Sequence, residues 1–129
     1  VLRRALLPWN LNRGLELLVL HKHFSITDDD VFGFEISDGV STVFQLGSAH
    51  LKVDVTYPQK MDYLILPYQG RSDMDVYCEP LLGRLKPKQI LLSHYDDAFP
   101  PVSERTRTGT FLKKHDNGQE LIWGRWINL

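Results

Sequence analysis

The chain has a single cysteine, Cys78, among 129 residues. One cysteine excludes an internal disulfide and a cysteine-rich zinc cluster, and its place in an apolar helical pattern predicts a buried, unreactive thiol. No apolar run approaches the roughly eighteen residues that span a membrane. The 15 basic and 16 acidic residues leave a formal charge of −1. This balance gives no electrostatic reason to expect a nucleic-acid or membrane partner.

The length and the hydrophobic content of 43% suit one globular domain, residues 1–129, with a core of its own. The first residues are too few and wrongly flanked for a signal peptide, so we expect a cytoplasmic protein. The chain opens on Val1 in the middle of an apolar pattern and without an initiator methionine. We therefore expect it to be a fragment of a longer protein.

The first half of the chain has the pattern of β-structure. Residues 15–24 are apolar and then alternate, which predicts a strand whose end carries His21 and His23 on one face. Residues 32–36 and 41–46 are β-rich and are joined by the sequence SDGV, in which Asp-Gly is a strong hairpin signal.

The second half alternates strands and helices. We predict strands at 62–66 and 89–93, a helix at 74–85 that Pro80 weakens, a helix at 109–114, and strands at 120–123 and 125–129. A strand, helix and strand of this length form a parallel pair. The predicted fold class is therefore α/β, a mixed sheet with helices on one face and another layer on the other. Alone, this unit exposes a sheet face or edge, so we expect another segment or a second copy to cover it.

Three places carry polar groups at the ends of apolar runs, and the first is the pair His21 and His23. Two imidazoles on one strand face are able to ligate one metal ion, because neutral ring nitrogens bind zinc, iron or nickel. A solvent-exposed strand end is the simpler explanation of the pair.

The second place is the sequence LGSAH at 46–50. Gly47 and Ser48 are small enough for backbone to approach a ligand closely, and His50 follows, although a tight turn is the simpler interpretation. The sequence has neither a phosphate-binding glycine loop nor a serine-nucleophile turn, which argues against a nucleotide-binding domain and a serine hydrolase. After the next strand, Tyr68, Gln69 and Arg71 either line a pocket or begin a helix.

The third place is His94, which follows the buried strand predicted at 89–93, together with Asp96 and Asp97. The imidazole is placed to bind a metal ion, and either carboxylate is able to orient it as a hydrogen-bond acceptor. The alternative is a turn in which an aspartate caps the backbone and the histidine binds a carbonyl group.

These pieces together resemble the C-terminal half of a hydrolase with the metallo-β-lactamase fold, in the bacterial lactonase-like branch. The resemblance spans roughly residues 15–103, and the most specific piece is LKPKQILLSHYDDAFPP at 85–101. The other matching pieces are FGFEI at 32–36, VFQLGSA at 43–49 and DYLILP at 62–67. The resemblance implies half of an αββα sandwich with a metal pair, usually zinc, at one sheet edge.

The resemblance also implies which residues bind the metal. The last histidine ligand of the family falls on His94, and the histidine after the middle strand falls on His23 or, less well, on His21. The His-x-His-x-Asp-His motif of the family's N-terminal half is absent from this chain. Ser48 stands where the family has an aspartate that bridges two metal ions, and a hydroxyl lacks the charge to do so. This departure implies a single-metal site, a remodelled site or a pseudoenzyme.

The resemblance implies that the full-length protein hydrolyses a small-molecule ester, lactone, amide or phosphodiester with a water molecule that a divalent metal, usually zinc, activates. The isolated chain then lacks half of the ligands and is expected to be inactive. The alternative is a non-catalytic α/β module that binds a ligand or a partner. In either case we expect a homo-oligomer, or association with the missing N-terminal half.

Overall fold

The computed structural model describes residues 32–98 and 104–127. Their eight elements are β1 (Gly33–Ser37), β2 (Thr42–Leu46), β3 (Tyr63–Pro67), α1 (Met74–Tyr77), α2 (Glu79–Leu85), β4 (Gln89–Ser93), α3 (Gly109–Lys114) and β5 (Gly118–Glu120). The strands form one sheet in chain order. The strand predicted at 15–24 lies outside the described residues.

The β1–β2 hairpin follows from the local sequence. The Oδ1 atom of Asp38 accepts hydrogen bonds from the backbone N–H groups of Val40 and Ser41 at 2.9 and 2.8 Å. Gly39 has a φ of +88°, which a side chain makes costly. The predicted antiparallel hairpin is confirmed, with Phe34 opposite Gln45 and Glu35 opposite Phe44.

The remaining strands are parallel to one another. β2 pairs with β3, β3 with β4, and β4 with β5, all in the same direction. The mixed sheet of the predicted α/β fold class is therefore confirmed. Because the strands run the same way, their carboxyl ends meet at one edge of the sheet, which is where such folds build their binding sites.

The three helices in the described part of the chain pack against one face of this sheet. Strand residues Leu64, Leu66 and Leu92, each with 0% exposure, share one buried cluster with helix residues Leu85 and Phe111. Alternation along the strands explains the choice of face, since every second side chain points to the same side. The expectation of helices on one face is thus correct.

The prediction of one helix at 74–85 is wrong in detail, because the helix is broken at Cys78. Cys78 ends α1 and precedes α2, and Pro80 falls within the first positions of α2. Proline has no N–H to donate, so it fits the first turn of a helix, where that hydrogen bond is missing anyway. The buried stripe is kept across the break, with Met74, Cys78, Leu81 and Leu85 all in the core.

The predicted strands at 120–123 and at 125–127 are not formed. β5 is Gly118–Glu120, and its last residue pairs with Leu92 near the end of β4. The N–H of Leu121 still donates to the carbonyl oxygen of Leu92 at 2.9 Å, but β4 ends at Ser93 and offers no further partner. Trp123 and Trp126 are consequently exposed to 96% and 98%.

The amino-terminal edge of the sheet is held by Asp62. Its Oδ2 accepts a hydrogen bond from the N–H of Thr42 at 2.8 Å, and its Oδ1 binds Nζ of Lys88 at 2.6 Å. Thr42 begins β2, Asp62 precedes β3, and Lys88 precedes β4. One carboxylate therefore connects the starts of three neighbouring strands.

The sheet face opposite the helices carries exposed apolar side chains. Phe34 and Ile36 of β1 are each 59% exposed, and their cross-strand partners are Gln45 and Val43.

No helix within residues 32–98 and 104–127 is long and apolar enough to cross a membrane.

Candidate functional site

Three loops leave the carboxyl edge of the sheet side by side. They follow β2, β3 and β4 and begin at Gly47, Tyr68 and His94. Pro67 is opposite Ser93 in the register, and the N–H of Tyr68 donates to the carbonyl oxygen of Ser93 at 2.7 Å. The fold therefore brings the predicted loops of Ser48 and His94 to the same edge, although they are far apart in the sequence.

The loop after β4 holds His94 in an uncommon conformation. His94 has a φ of +59°, in the left-handed region that a residue with a Cβ adopts at a cost. The N–H of Asp97 donates to the carbonyl oxygen of His94 at 3.2 Å and closes the turn. Non-glycine residues with such backbone angles are frequent at functional sites.

The buried side chain of Tyr95 anchors the loop after β4. Its side chain is only 3% exposed, and its hydroxyl donates to the carbonyl oxygen of Leu121 at 3.1 Å. With Tyr95 buried, the flanking His94 and Asp96 are exposed. The sequence analysis did not predict that Tyr95 positions this loop. The pattern that could have indicated it is a single aromatic residue between polar ones.

The His94 imidazole is paired with Asp97. Nδ1 lies 2.6 Å from Oδ2 of Asp97, and the two side chains are 52% and 58% exposed. Asp96 is exposed in the same turn, and the structure gives the contact with the imidazole to Asp97. With Nδ1 engaged by a carboxylate, the neutral ring has its lone pair on Nε2, the arrangement that metal-binding histidines commonly use.

The residues for a complete metal site do not meet in the described part of the chain. No group of three histidine, cysteine, aspartate or glutamate residues lies close enough there to hold an ion. His21 and His23 lie outside the described residues. His94 with Asp97 thus fits one ligand and its orienting carboxylate, while the hydroxyl of Ser48 does not fit a bridging position.

A cavity of about 740 Å³ opens beside the loop after β2. Ser48 and His50 line it, together with Gln69 and Arg71 from the loop after β3. Its apolar wall comes from the helix side of the sheet and from the loop that precedes β3, and includes Phe44, Leu46, Val55, Tyr57 and Met74. His94, Asp96 and Asp97 are not among its lining residues.

A chain of side-chain contacts runs along the rim of this cavity. Arg71 donates from Nε and Nη2 to the two carboxylate oxygens of Asp73, each at 2.8 Å, and its guanidinium lies 4.4 Å from the centre of the Tyr77 ring. The Tyr77 hydroxyl is 3.4 Å from Nδ1 of His50. The Arg71 contact with Asp73 raises the pKa of the guanidinium and lowers that of the carboxyl group.

Tyr68 and Cys78 lie in the core. The Tyr68 ring is 1% exposed and packs edge-on against Phe111, with ring centroids 5.1 Å apart, so it does not line the cavity. Burial raises the pKa of the Cys78 thiol to about 12. Cys78 is therefore the buried, protonated thiol that the sequence predicts.

Comparison of this chain with protein families, with curated proteins and with solved structures finds no match. The arguments for its function therefore rest on its own residues.

Proposed function

We propose that this chain is the C-terminal portion of a metal-dependent hydrolase that acts on a small-molecule ester, lactone, amide or phosphodiester. The observation that supports the proposal most directly is the pair His94 and Asp97. An exposed imidazole stands at the carboxyl end of a buried parallel strand, and a carboxylate 2.6 Å away holds its Nδ1.

The arrangement suits ligation because each part has a defined role. Tyr95 anchors the turn, the left-handed backbone of His94 turns the chain away from the strand, and Asp97 fixes the imidazole. A carboxylate acceptor at Nδ1 also fixes the tautomer and the orientation of the ring, which leaves the Nε2 lone pair for a cation. A histidine that only satisfied a backbone carbonyl group would need none of these features.

In this proposal His94 supplies one ligand to a divalent metal, most simply zinc, and His23 or His21 supplies another. The chemistry that a bound zinc ion offers is a water molecule ionised near neutral pH and a polarised substrate oxygen. Ser48 adds a hydroxyl at the position of a bridging carboxylate, which favours one metal ion over two. The remaining ligands belong to the N-terminal half, so the isolated chain is inactive.

The cavity beside Ser48 adds a place for the substrate. It lies at the carboxyl edge shared by β2, β3 and β4, next to the loop after β2. Its volume of about 740 Å³ is within the range of small-molecule sites. In this proposal the residues of the cavity bind the substrate and exclude water, while His94 binds the cation and Asp97 orients its imidazole.

A second candidate is a non-catalytic module that binds a ligand through the same edge. Ser48 favours it, because the position that the resemblance assigns to a carboxylate carries a neutral hydroxyl. The cavity serves this alternative equally well, since ligand binding needs no metal. The two candidates differ in whether the full-length protein holds a metal ion through His94.

Metal content separates the two candidates. Elemental analysis of the purified full-length protein is expected to show stoichiometric zinc, and His94→Asn or His94→Ala is expected to lose it. Asparagine tolerates the left-handed backbone, so the first variant tests the imidazole alone. Lys86→Asn is a matched control, because Lys86 is another exposed residue with positive φ, at +52°. Metal that persists in both His94 variants removes His94 as a ligand; a metal-free wild-type protein favours the binding module.

The exposed apolar side chains of β1 suggest how the chain is completed. Phe34 and Ile36 present apolar surface opposite the helices, and we propose that a second copy or the missing N-terminal half covers it. A location in the cytoplasm agrees with a single cysteine that is buried as a thiol.

A further inference from the structure

The cavity has an apolar interior that the rest of the structure holds in place. Phe44, Leu46 and Met74 form its floor and are almost fully buried, at 4%, 4% and 1% exposure, while Phe32 and Val55, which are 68% and 39% exposed, present apolar surface to it. Apolar area of this kind gains free energy when an apolar ligand group displaces water from it. The interior therefore favours an aryl or acyl group.

The loop wall of the cavity is fixed by Arg84 of α2. Its Nη1 donates to the carbonyl oxygen of Lys52 at 2.8 Å, and its Nη2 donates to that of Val55. Its guanidinium also lies 5.1 Å from the centre of the Tyr57 ring. These contacts preform the wall, which lowers the ordering cost that a ligand must overcome.

The rim offers two oriented hydrogen-bond donors. Arg71 uses Nε and Nη2 on Asp73 and stacks on Tyr77, so its Nη1 group remains for a ligand in a fixed plane. When the Tyr77 hydroxyl donates to Nδ1 of His50, the neutral imidazole carries its proton on Nε2. An arginine and an imidazole N–H at one rim suit a carboxylate.

The charges around the cavity restrict the ligand further. Arg71 brings a positive charge that Asp73 already contacts, and Glu35 in the lining brings a negative charge. A single carboxylate therefore has the free edge of Arg71 as its partner, whereas a second anionic group meets repulsion from Glu35. We propose that this cavity binds a small monocarboxylic acid with an aryl or medium-chain acyl body. This proposal gives a ligand class to the cavity that the proposed function assigns to the substrate, and it requires no metal and does not include His94.

Calorimetric titration of the full-length protein with 2-naphthoate tests the proposal. We expect saturable binding that Thr56→Trp weakens at least about tenfold, because an indole at this exposed lining residue fills the cavity. Gln59→Trp is the matched control, since Gln59 is exposed on the same loop and does not line the cavity. The absence of binding by the wild-type protein, or an equal affinity in Thr56→Trp, overturns the proposal.

The recognition of the carboxylate is tested separately. Arg71→Gln is expected to weaken 2-naphthoate binding about tenfold, because it removes one charge-assisted hydrogen bond to the carboxylate. It should leave methyl 2-naphthoate unaffected. Arg107→Gln removes an exposed arginine outside the cavity and is expected to change neither affinity. Equal weakening of acid and ester, or a dicarboxylate that binds as tightly as the monoacid, overturns the ligand class.

The His94→Asn variant separates this site from the proposed hydrolase. Because His94 does not line the cavity, the variant is expected to bind 2-naphthoate with wild-type affinity even where it has lost its metal. A loss of acid binding in His94→Asn would place the acid at the loop after β4 and overturn the cavity proposal. The metal-content experiment would stand in either case.

Discussion

Nδ1 of His94 and Oδ2 of Asp97 lie 2.6 Å apart across one exposed turn. The contact selects one of two adjacent aspartates, since the imidazole binds Asp97 whereas Asp96 is exposed in the same turn. This difference between neighbouring carboxylates gives the metal hypothesis a sharp internal control.

If Asp97 orients a metal-binding imidazole, Asp97→Ala should lower the zinc affinity of the full-length protein by about 10- to 100-fold, the usual effect of removing such an acceptor. Asp96→Ala removes the same charge one residue away and should change the affinity far less. Competition with a chromogenic chelator measures both. Equal effects of the two substitutions would mean that only the net charge of the turn matters.

The amino-terminal edge of the sheet predicts acid sensitivity. The Lys88 ammonium, followed by the N–H of Thr42, lowers the pKa of the Asp62 carboxyl group. A lowered pKa means that the ionised form stabilises the fold. This contribution is complete above the ordinary carboxyl value of about 4 and is lost as the pH falls through the pKa of the folded state.

Asp62→Asn should therefore lower the free energy of unfolding at neutral pH and flatten its decline between about pH 5 and pH 2. Urea unfolding across that range measures the effect. Asp54→Asn, at an exposed loop aspartate, should keep the wild-type profile. A parallel shift of the Asp62→Asn curve at every pH would show that the carboxylate contributes no proton linkage.

The break between α1 and α2 predicts an unusual response at Pro80. In the first turn of α2 proline costs no hydrogen bond and restricts the unfolded chain, so Pro80→Ala should destabilise the protein by about 0.5 to 1 kcal/mol. In the interior of one continuous helix the same change would stabilise by about 3 kcal/mol. The sign of the change in unfolding free energy therefore distinguishes the two geometries.

Gly83→Ala is the companion substitution in α2. A Cβ at this exposed position meets no atom within 4 Å, and glycine in a helix interior is costly. The variant should gain about 0.5 to 1 kcal/mol of stability relative to the wild-type protein. A loss instead would indicate that residues 79–85 are not helical in solution.

The exposed apolar side chains of β1, Phe34 and Ile36, predict self-association of the isolated chain. Light scattering should give a mass above that of the monomer, and Ile36→Lys should lower it, because the charge falls on the apolar face. Val40→Lys is the control: Val40 is 88% exposed at the hairpin turn, away from that face. A monomer at all concentrations, or equal effects of the two variants, would contradict this prediction.

Local signals in the sequence predicted most of the sheet. The Asp38–Gly39 turn and the apolar runs before Pro67 and His94 located β1 to β4 within one or two residues, because turn chemistry and burial are written in neighbouring residues. The strands predicted after residue 120 were wrong for a non-local reason. Trp123 and Trp126 favour β-structure by propensity, but β4 ends before it reaches them, and a strand needs a partner.

The candidate site, too, was predicted only in part from the sequence. The sequence placed His94 and Ser48 after strands, and the common edge followed from parallel pairing. The sequence could not show that Tyr68 points into the core while Gln69 and Arg71 reach the cavity, since that depends on packing against distant residues such as Phe111. Nor could the sequence show that Asp97, and not Asp96, contacts the imidazole, because this depends on the geometry of the turn that Tyr95 anchors.

The left-handed backbone at His94 carries a consequence for protein engineering. Glycine would occupy this position without steric penalty, whereas histidine is held there against its own preference. A directed-evolution campaign that rewarded heat tolerance alone would thus drift towards glycine at position 94 and discard the imidazole early. If His94 binds a metal ion as proposed, selection for activity and selection for thermal robustness should diverge first at this residue.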